Sequence, residues 1–145
     1  MIEHDEICEL IPHSGQMCLL DRVIRWDETS IECESGSHML SDNPLRNEGS
    51  LPSICLVEFG AQAMAVHGSL LAREQGRKFG NGYLAALRDL QIVSRDVSQT
   101  SSNLQIEAEK LMAQGGSLIY KFWIKIHNIC VVQGRATVVE VAKSE

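Results

Sequence analysis

The chain has 145 residues, the size of one domain that can bury roughly two thirds of its unfolded surface in a single core. Its 44% hydrophobic and 22% charged residues are ordinary for a globular protein, and a net charge of −6 lacks the concentrated basic footprint of general nucleic-acid binding. No apolar run is expected to reach the ~18 residues of a membrane span, and the acidic start MIEHDEICEL lacks the basic region of a secretory signal, so a single cytoplasmic domain over 1–145 is the simplest expectation.

From Ile2 to Ile11, apolar Ile2, Cys8, Leu10 and Ile11 stand among Glu3, Asp5 and Glu6, which favour a helix N-terminus; a short helix stopped by Pro12 follows. His13 sits beside that proline in a Ser14-Gly15 turn, where a histidine more often fixes backbone than does chemistry. Leu19 to Trp26 reads as a strand. Asp27-Glu28-Thr29 reads as a hairpin turn, and Ile31 and Cys33 alternate with Glu32 and Glu34 as in a strand with one wet face.

From Gly36 to Pro52 the pattern dissolves into Gly, Ser, Asp, Asn and Pro, with His38, Asn43 and Arg46 as its notable polar residues. A loop of that length inside a compact domain is commonly functional. It runs into a helix predicted over Ser53 to Glu74, about 33 Å long at 1.5 Å per residue. Ile54, Leu56, Val57, Phe59, Ala61, Ala63, Met64, Ala65 and Val66 surround its axis, which makes it a core helix; Gly76, Gly80 and Gly82 are expected to stop it. Glu58 is the carboxylate on this apolar stretch. A carboxylate taken out of water without a partner costs several kcal/mol, so such a residue is paired, protonated or functional.

Downstream, Leu90 and Ile92, then Leu104, Ile106 and Ala108, then Leu118, Tyr120, Phe122, Ile124 and Ile126 alternate with polar residues. Gly115-Gly116 and His127-Asn128 mark hairpin turns, and Val132, Ala136, Val138 and Val141 close the series. Strands joined by hairpins imply an antiparallel sheet, and one lone apolar helix must lie against it: an α+β architecture, a curled sheet around a central helix.

Five cysteines, Cys8, Cys18, Cys33, Cys55 and Cys130, are odd in number and scattered, with no C-x-x-C pair and no matching His spacing. They are expected to be reduced and mostly buried, forming neither a disulfide framework nor a zinc site. His67 lies nine residues after Glu58, on the far side of the helix, and is expected to be a satisfied core histidine. His4 and His127 read as surface residues. Arg73, Arg77 and Lys78, followed by Arg88 and Arg95, read first as a solvated helix end and second, with Arg46, as a weak landing area for an acidic carrier.

Two stretches carry a resemblance. IPHSGQMCLLDRV resembles the N-terminal Leu-Pro-His and Leu-Leu-Val-Asp-Arg-Val segments of the hot-dog fold 3-hydroxyacyl-[acyl-carrier-protein] dehydratases, and LPSICLVEFGAQA resembles the start of their central helix. With SDNPLR, the chain looks closest to the small dehydratase-like proteins of aryl-polyene biosynthesis. The resemblance implies a hot-dog fold, a thioester on an acyl carrier protein or CoA, and no metal or organic cofactor beyond the substrate's phosphopantetheine. It also implies a dimer, or an oligomer with another hot-dog subunit.

Residue by residue, the resemblance puts Glu58 on the catalytic carboxylate, Gln62 on the Gln one turn later, and Pro52-Ser53 on a Pro-Gly whose backbone N–H polarises the thioester carbonyl. Where the family carries its catalytic histidine, Asp42-Asn43-Pro44-Leu45 stands here. Either the loop takes a different path and His38 takes the part of the base, or the histidine comes from another chain. With His38 as the expected base, Glu58 takes the part of the acid or water-orienting group and the N–H of Ser53 or Ile54 that of oxyanion donor, with Asn43 and Gln62 supporting. A hot-dog thioesterase, and a non-catalytic or half-site subunit of a heteromeric dehydratase, are the alternatives; the departure at Asn43 sustains the second.

Overall fold

The computed structural model describes residues 1–11, 17–77, 81–93 and 102–141. Expectations for Pro12, His13, the Ser14-Gly15 turn, Lys78, Gly80, Arg95 and the last residues 142–145 lie outside the described residues.

A two-residue strand, Ile2–Glu3 (β1), leads into His4–Leu10 (α1), whose first turn carries Asp5 and Glu6 where backbone N–H groups favour negative charge. Arg22–Trp26 (β2) and Ser30–Ser35 (β3) form a hairpin. Asp27 closes its turn by accepting the N–H of Thr29 at 2.9 Å and of Ser30 at 2.8 Å. After a 3-10 turn at Ser37–Met39 and an irregular stretch, a second 3-10 turn at Ser53–Cys55 runs straight into Leu56–Glu74 (α2), so the helical segment has the bounds read from the sequence. Gly76 stops it: at φ +73° it lets the Arg77 N–H turn back to the Ala72 carbonyl at 3.0 Å.

Asn81–Ile92 (β4), Leu104–Gln114 (β5), Ser117–Ile126 (β6) and Ile129–Val141 (β7) complete one antiparallel sheet in the order β1-β2-β3-β5-β6-β7-β4. The β5–β6 and β6–β7 hairpins turn at Gly115-Gly116 (φ 58° and 83°) and His127-Asn128 (φ 52° and 64°). Two successive positive φ angles match the twist of the flanking strands. Gly82, expected to help end the helix, instead lies in β4, and the strand begins well before Leu90.

α2 packs across β3, β5, β6 and β7, the centre of the sheet. Leu56, Phe59, Ala63, Met64, Val66 and Leu70 join Tyr120, Phe122, Ile124, Leu104 and Ile106 in one fully buried cluster. Helix and sheet are close enough at Gly60 that a Cβ there would sit 3.0 Å from the Phe122 ring. Ile54 is the exception to the all-round apolar burial, 47% exposed at the helix start, and Ile92 is likewise exposed.

Two further expectations are corrected. Ser53–Glu74 is long and apolar enough to cross a membrane by length and composition, with a mean hydropathy of 1.4; 67% of its most apolar window is nevertheless buried inside this fold, which marks it as a core helix. Cys8 and Cys18 are joined as a disulfide rather than reduced, because the path from α1 to β2 brings their Cα atoms to 5.8 Å. Cys33 is buried and free, its thiol pushed up to about 12 by burial, and Cys55 and Cys130 are free and half-buried.

Candidate active site

The first turn of α2 presents Glu58, half-buried rather than sealed in apolar surroundings. One turn on, Gln62 is 1% exposed, and its Nε2 donates to a Glu58 carboxylate oxygen at 3.4 Å. The stronger bonds of Gln62 go elsewhere: Nε2 to the Met17 carbonyl at 2.7 Å, and Oε1 from the Leu19 N–H at 2.9 Å. Gln62 therefore pins the segment leading into β2 against the helix and faces Glu58 from that fixed position.

The helix start supplies donors. Pro52 precedes the Ser53–Cys55 turn, and no side chain caps either that turn or α2. The N–H groups of Ser53 and Ile54 stand at the beginning of the helical segment, at the positive end of its dipole. The Ser53 hydroxyl, on a residue read from the sequence only as a backbone donor, is buried with no hydrogen-bond partner among the described residues. An orphaned buried hydroxyl costs about 1–3 kcal/mol.

His38 is also fully buried, on the Ser37–Met39 turn rather than facing water. Among the described residues neither ring nitrogen makes a well-formed hydrogen bond, but the Ser102 backbone approaches the ring closely enough to favour its charged form. Burial outweighs that and holds the imidazole below its ordinary range, with Arg46 adding to the effect and Asp21 opposing it. The turn is gripped on both sides of the histidine. Asn43, itself buried, donates from Nδ2 to the Ser37 carbonyl at 2.9 Å and accepts the Leu45 N–H at 2.8 Å; Arg46 donates from Nη2 to the His38 carbonyl at 2.7 Å. Asn43 and Arg46 thus position His38. Ser37, Asn43 and Pro44 line an adjoining cavity of about 380 Å³ that His4, Cys18 and Asp21 also border.

His67 lies elsewhere. Its Nε2 donates to the Asp27 carbonyl at 2.8 Å, so its Nδ1 accepts from the Tyr120 hydroxyl at 2.7 Å, the satisfied core histidine that was expected. The basic cluster is neutralised locally: Arg73 pairs with Glu6 at 2.9 Å and Arg77 with Glu140 at 3.2 Å. His127 is exposed as expected; His4 is half-buried and donates from Nδ1 to the Leu20 carbonyl at 2.7 Å.

Comparison with known proteins agrees with this architecture. A family described as ApeP-like, ApeP dehydratase, matches residues 5–145. A chain of the dehydratase heterocomplex ApeI:P from Xenorhabdus doucetiae superposes with a TM-score of 0.85 at 23% identity, covering 94% of this chain and 91% of that one. The E. coli PaaI protein from the phenylacetic acid degradation operon does so at 0.62 and 13% identity, covering 94% and 88%. A hypothetical thioesterase from Streptococcus pneumoniae, solved with coenzyme A, does so at 0.60 and 10%, covering 86% and 88%. No functionally curated protein matches. The hot-dog architecture read from the sequence is therefore the fold of this chain.

Proposed function

The chain belongs to the ApeP-like family of dehydratases, and from that premise we propose that it removes water from a 3-hydroxyacyl thioester on an acyl carrier protein. The product is a trans-2-enoyl thioester of fatty-acid or aryl-polyene type lipid biosynthesis. The observation that carries the reading is the grip of Asn43 and Arg46 on the turn that holds a buried His38, whose ring has no side-chain partner among the described residues.

The reaction needs a proton removed at C2, a stabilised enolate oxygen, and a proton delivered to the leaving hydroxyl at C3. A neutral imidazole suits the first task, and burial keeps His38 neutral at working pH. Fixed N–H donors at the Ser53–Ile54 helix start suit the second, with the Ser53 hydroxyl beside them as a further donor. Glu58, oriented by Gln62, serves as acid or orients the departing water. No step requires a metal or an organic cofactor.

His38 and Glu58 work across subunits in this reading, with a second hot-dog subunit completing each site. Strand β4 supports it: it is a sheet edge twelve residues long, and Leu84, Leu87 and Ile92 on it are about 40% exposed. A long apolar edge left open is a template for pairing.

The purified chain, alone and with a second hot-dog dehydratase subunit, should be given a 3-hydroxyacyl carrier protein and the acyl group weighed. Loss of one water in the complex is expected. Release of free thiol without the enoyl product would make the chain a thioesterase, and no turnover in either preparation would refute the reading.

A further inference from the structure

We propose that His4, Cys8 and Cys18 form a binding site for a soft divalent cation of the zinc class, opened when the Cys8–Cys18 disulfide is reduced. Their ligand atoms lie within 4.8 Å of one another. His4 and Cys8 are one turn apart on α1, on the same face, while Cys18 comes from the segment that Gln62 pins against α2. Two scaffolds held independently thus bring an imidazole and two sulfurs to one point.

The orientation of the imidazole distinguishes this group from a plain disulfide. His4 Nδ1 lies 2.7 Å from the Leu20 carbonyl, which can only accept, so Nδ1 carries the proton. In the neutral ring Nε2 is then the bare nitrogen, and it faces Cys8 Sγ at 3.4 Å. A disulfide sulfur has no proton to give it. A ring with one nitrogen bonded to a carbonyl and the other bare and turned toward sulfurs that become thiolates on reduction has the orienting partner of a metal-ligating histidine already in place.

One histidine and two cysteines are a zinc donor set that leaves a fourth position open. His4 and Cys18 both border the cavity beside the His38 turn, so that position faces the cavity and is open to water. Loading requires reduction. With a phosphine reductant the S–S bond breaks, phosphorus gives two electrons and takes the oxygen of one water, and the water's protons go to the two sulfurs. The cation then displaces those protons to solvent as two metal–sulfur bonds form.

Cobalt(II) as a spectroscopic probe tests this on the full chain. Phosphine-reduced protein should show a sulfur-to-cobalt charge-transfer band that zinc abolishes, and the oxidised protein should show none. Cys8→Ser and Cys18→Ser should each lose the band, and His4→Ala should weaken binding at least about tenfold, since even losing an outer partner of a ligand costs 10–100-fold. Alkylation of the reduced wild-type chain gives a readout that needs no variant: zinc should shield Cys8 and Cys18 and leave Cys55 and Cys130 reactive. Absence of the band in reduced protein, its survival in Cys8→Ser or Cys18→Ser, or equal alkylation with and without zinc would overturn the proposal.

Discussion

Two histidines are equally buried in this chain and stand in opposite conditions. His67 sits in the middle of α2 with both nitrogens bonded and its ring edge-on to Tyr120 at 5.6 Å; His38 sits on a loop turn with no side-chain partner for its ring among the described residues and only the Ser102 backbone nearby, while the backbone around it is held by Asn43 and Arg46. The helix satisfies its polar groups and derives stability from them. The loop fixes the position of an imidazole and leaves its chemistry open. Burial alone therefore does not separate a structural histidine from one available for reaction; its hydrogen-bond partners do.

The contrast can be broken by substitution. His38→Ala should lower the dehydration rate per folded molecule of the complex by about 10²–10⁴-fold, the usual worth of a general base, beyond any stability lost to the cavity the buried ring leaves. His67→Ala should do the reverse: a loss of about 2–4 kcal/mol in denaturant unfolding, from the cavity and the unpaired Tyr120 hydroxyl and Asp27 carbonyl, with the rate per folded molecule kept. Equal effects of the two on rate would dissolve the distinction.

Smaller effects sharpen it. Gly60→Ala places a methyl 3.0 Å from the Phe122 ring, and crowding of about 1–3 kcal/mol should exceed the helix-propensity gain of about 1 kcal/mol, lowering the melting temperature. Both histidines are held below their ordinary value, by burial first, so the unfolded chain binds protons that the folded chain refuses as pH falls through about 6.5. Stability should therefore fall as pH drops below that value, and His38→Ala should flatten part of the slope. Arg77→Glu breaks an exposed pair with Glu140 and should cost at most about 1 kcal/mol; an unchanged KM for carrier-bound substrate would remove that end of the helix as a landing area.

Much of this was legible in the residues. The bounds of the Ser53–Glu74 segment followed from its continuous apolar run and the glycines after it, and both two-residue hairpin turns from their residue types. The beginning of β4 was not legible. Its register shifts between Leu84 and Ala86 and again between Arg88 and Gln91, Asp89 has φ 54°, and as an edge strand it exposes Leu84 and Leu87, so no alternation survives to be read. The Cys8–Cys18 pairing had no spacing signature, because it depends on how two elements dock on a third. The loop offered His38 and Asn43 as residues of interest, but aperiodic sequence carries no signal for burial, and only the hydrogen bonds reveal Asn43 as the residue that positions the turn.

Glu58→Gln in the complex with a second hot-dog subunit tests the site most directly. The change keeps size and the bond to Gln62 but removes the acid, so dehydration of a 3-hydroxyacyl carrier protein should fall by about 10²-fold or more while the complex and its melting temperature persist. Dehydration at the wild-type rate by that variant would contradict Glu58 as the carboxyl that carries the reaction.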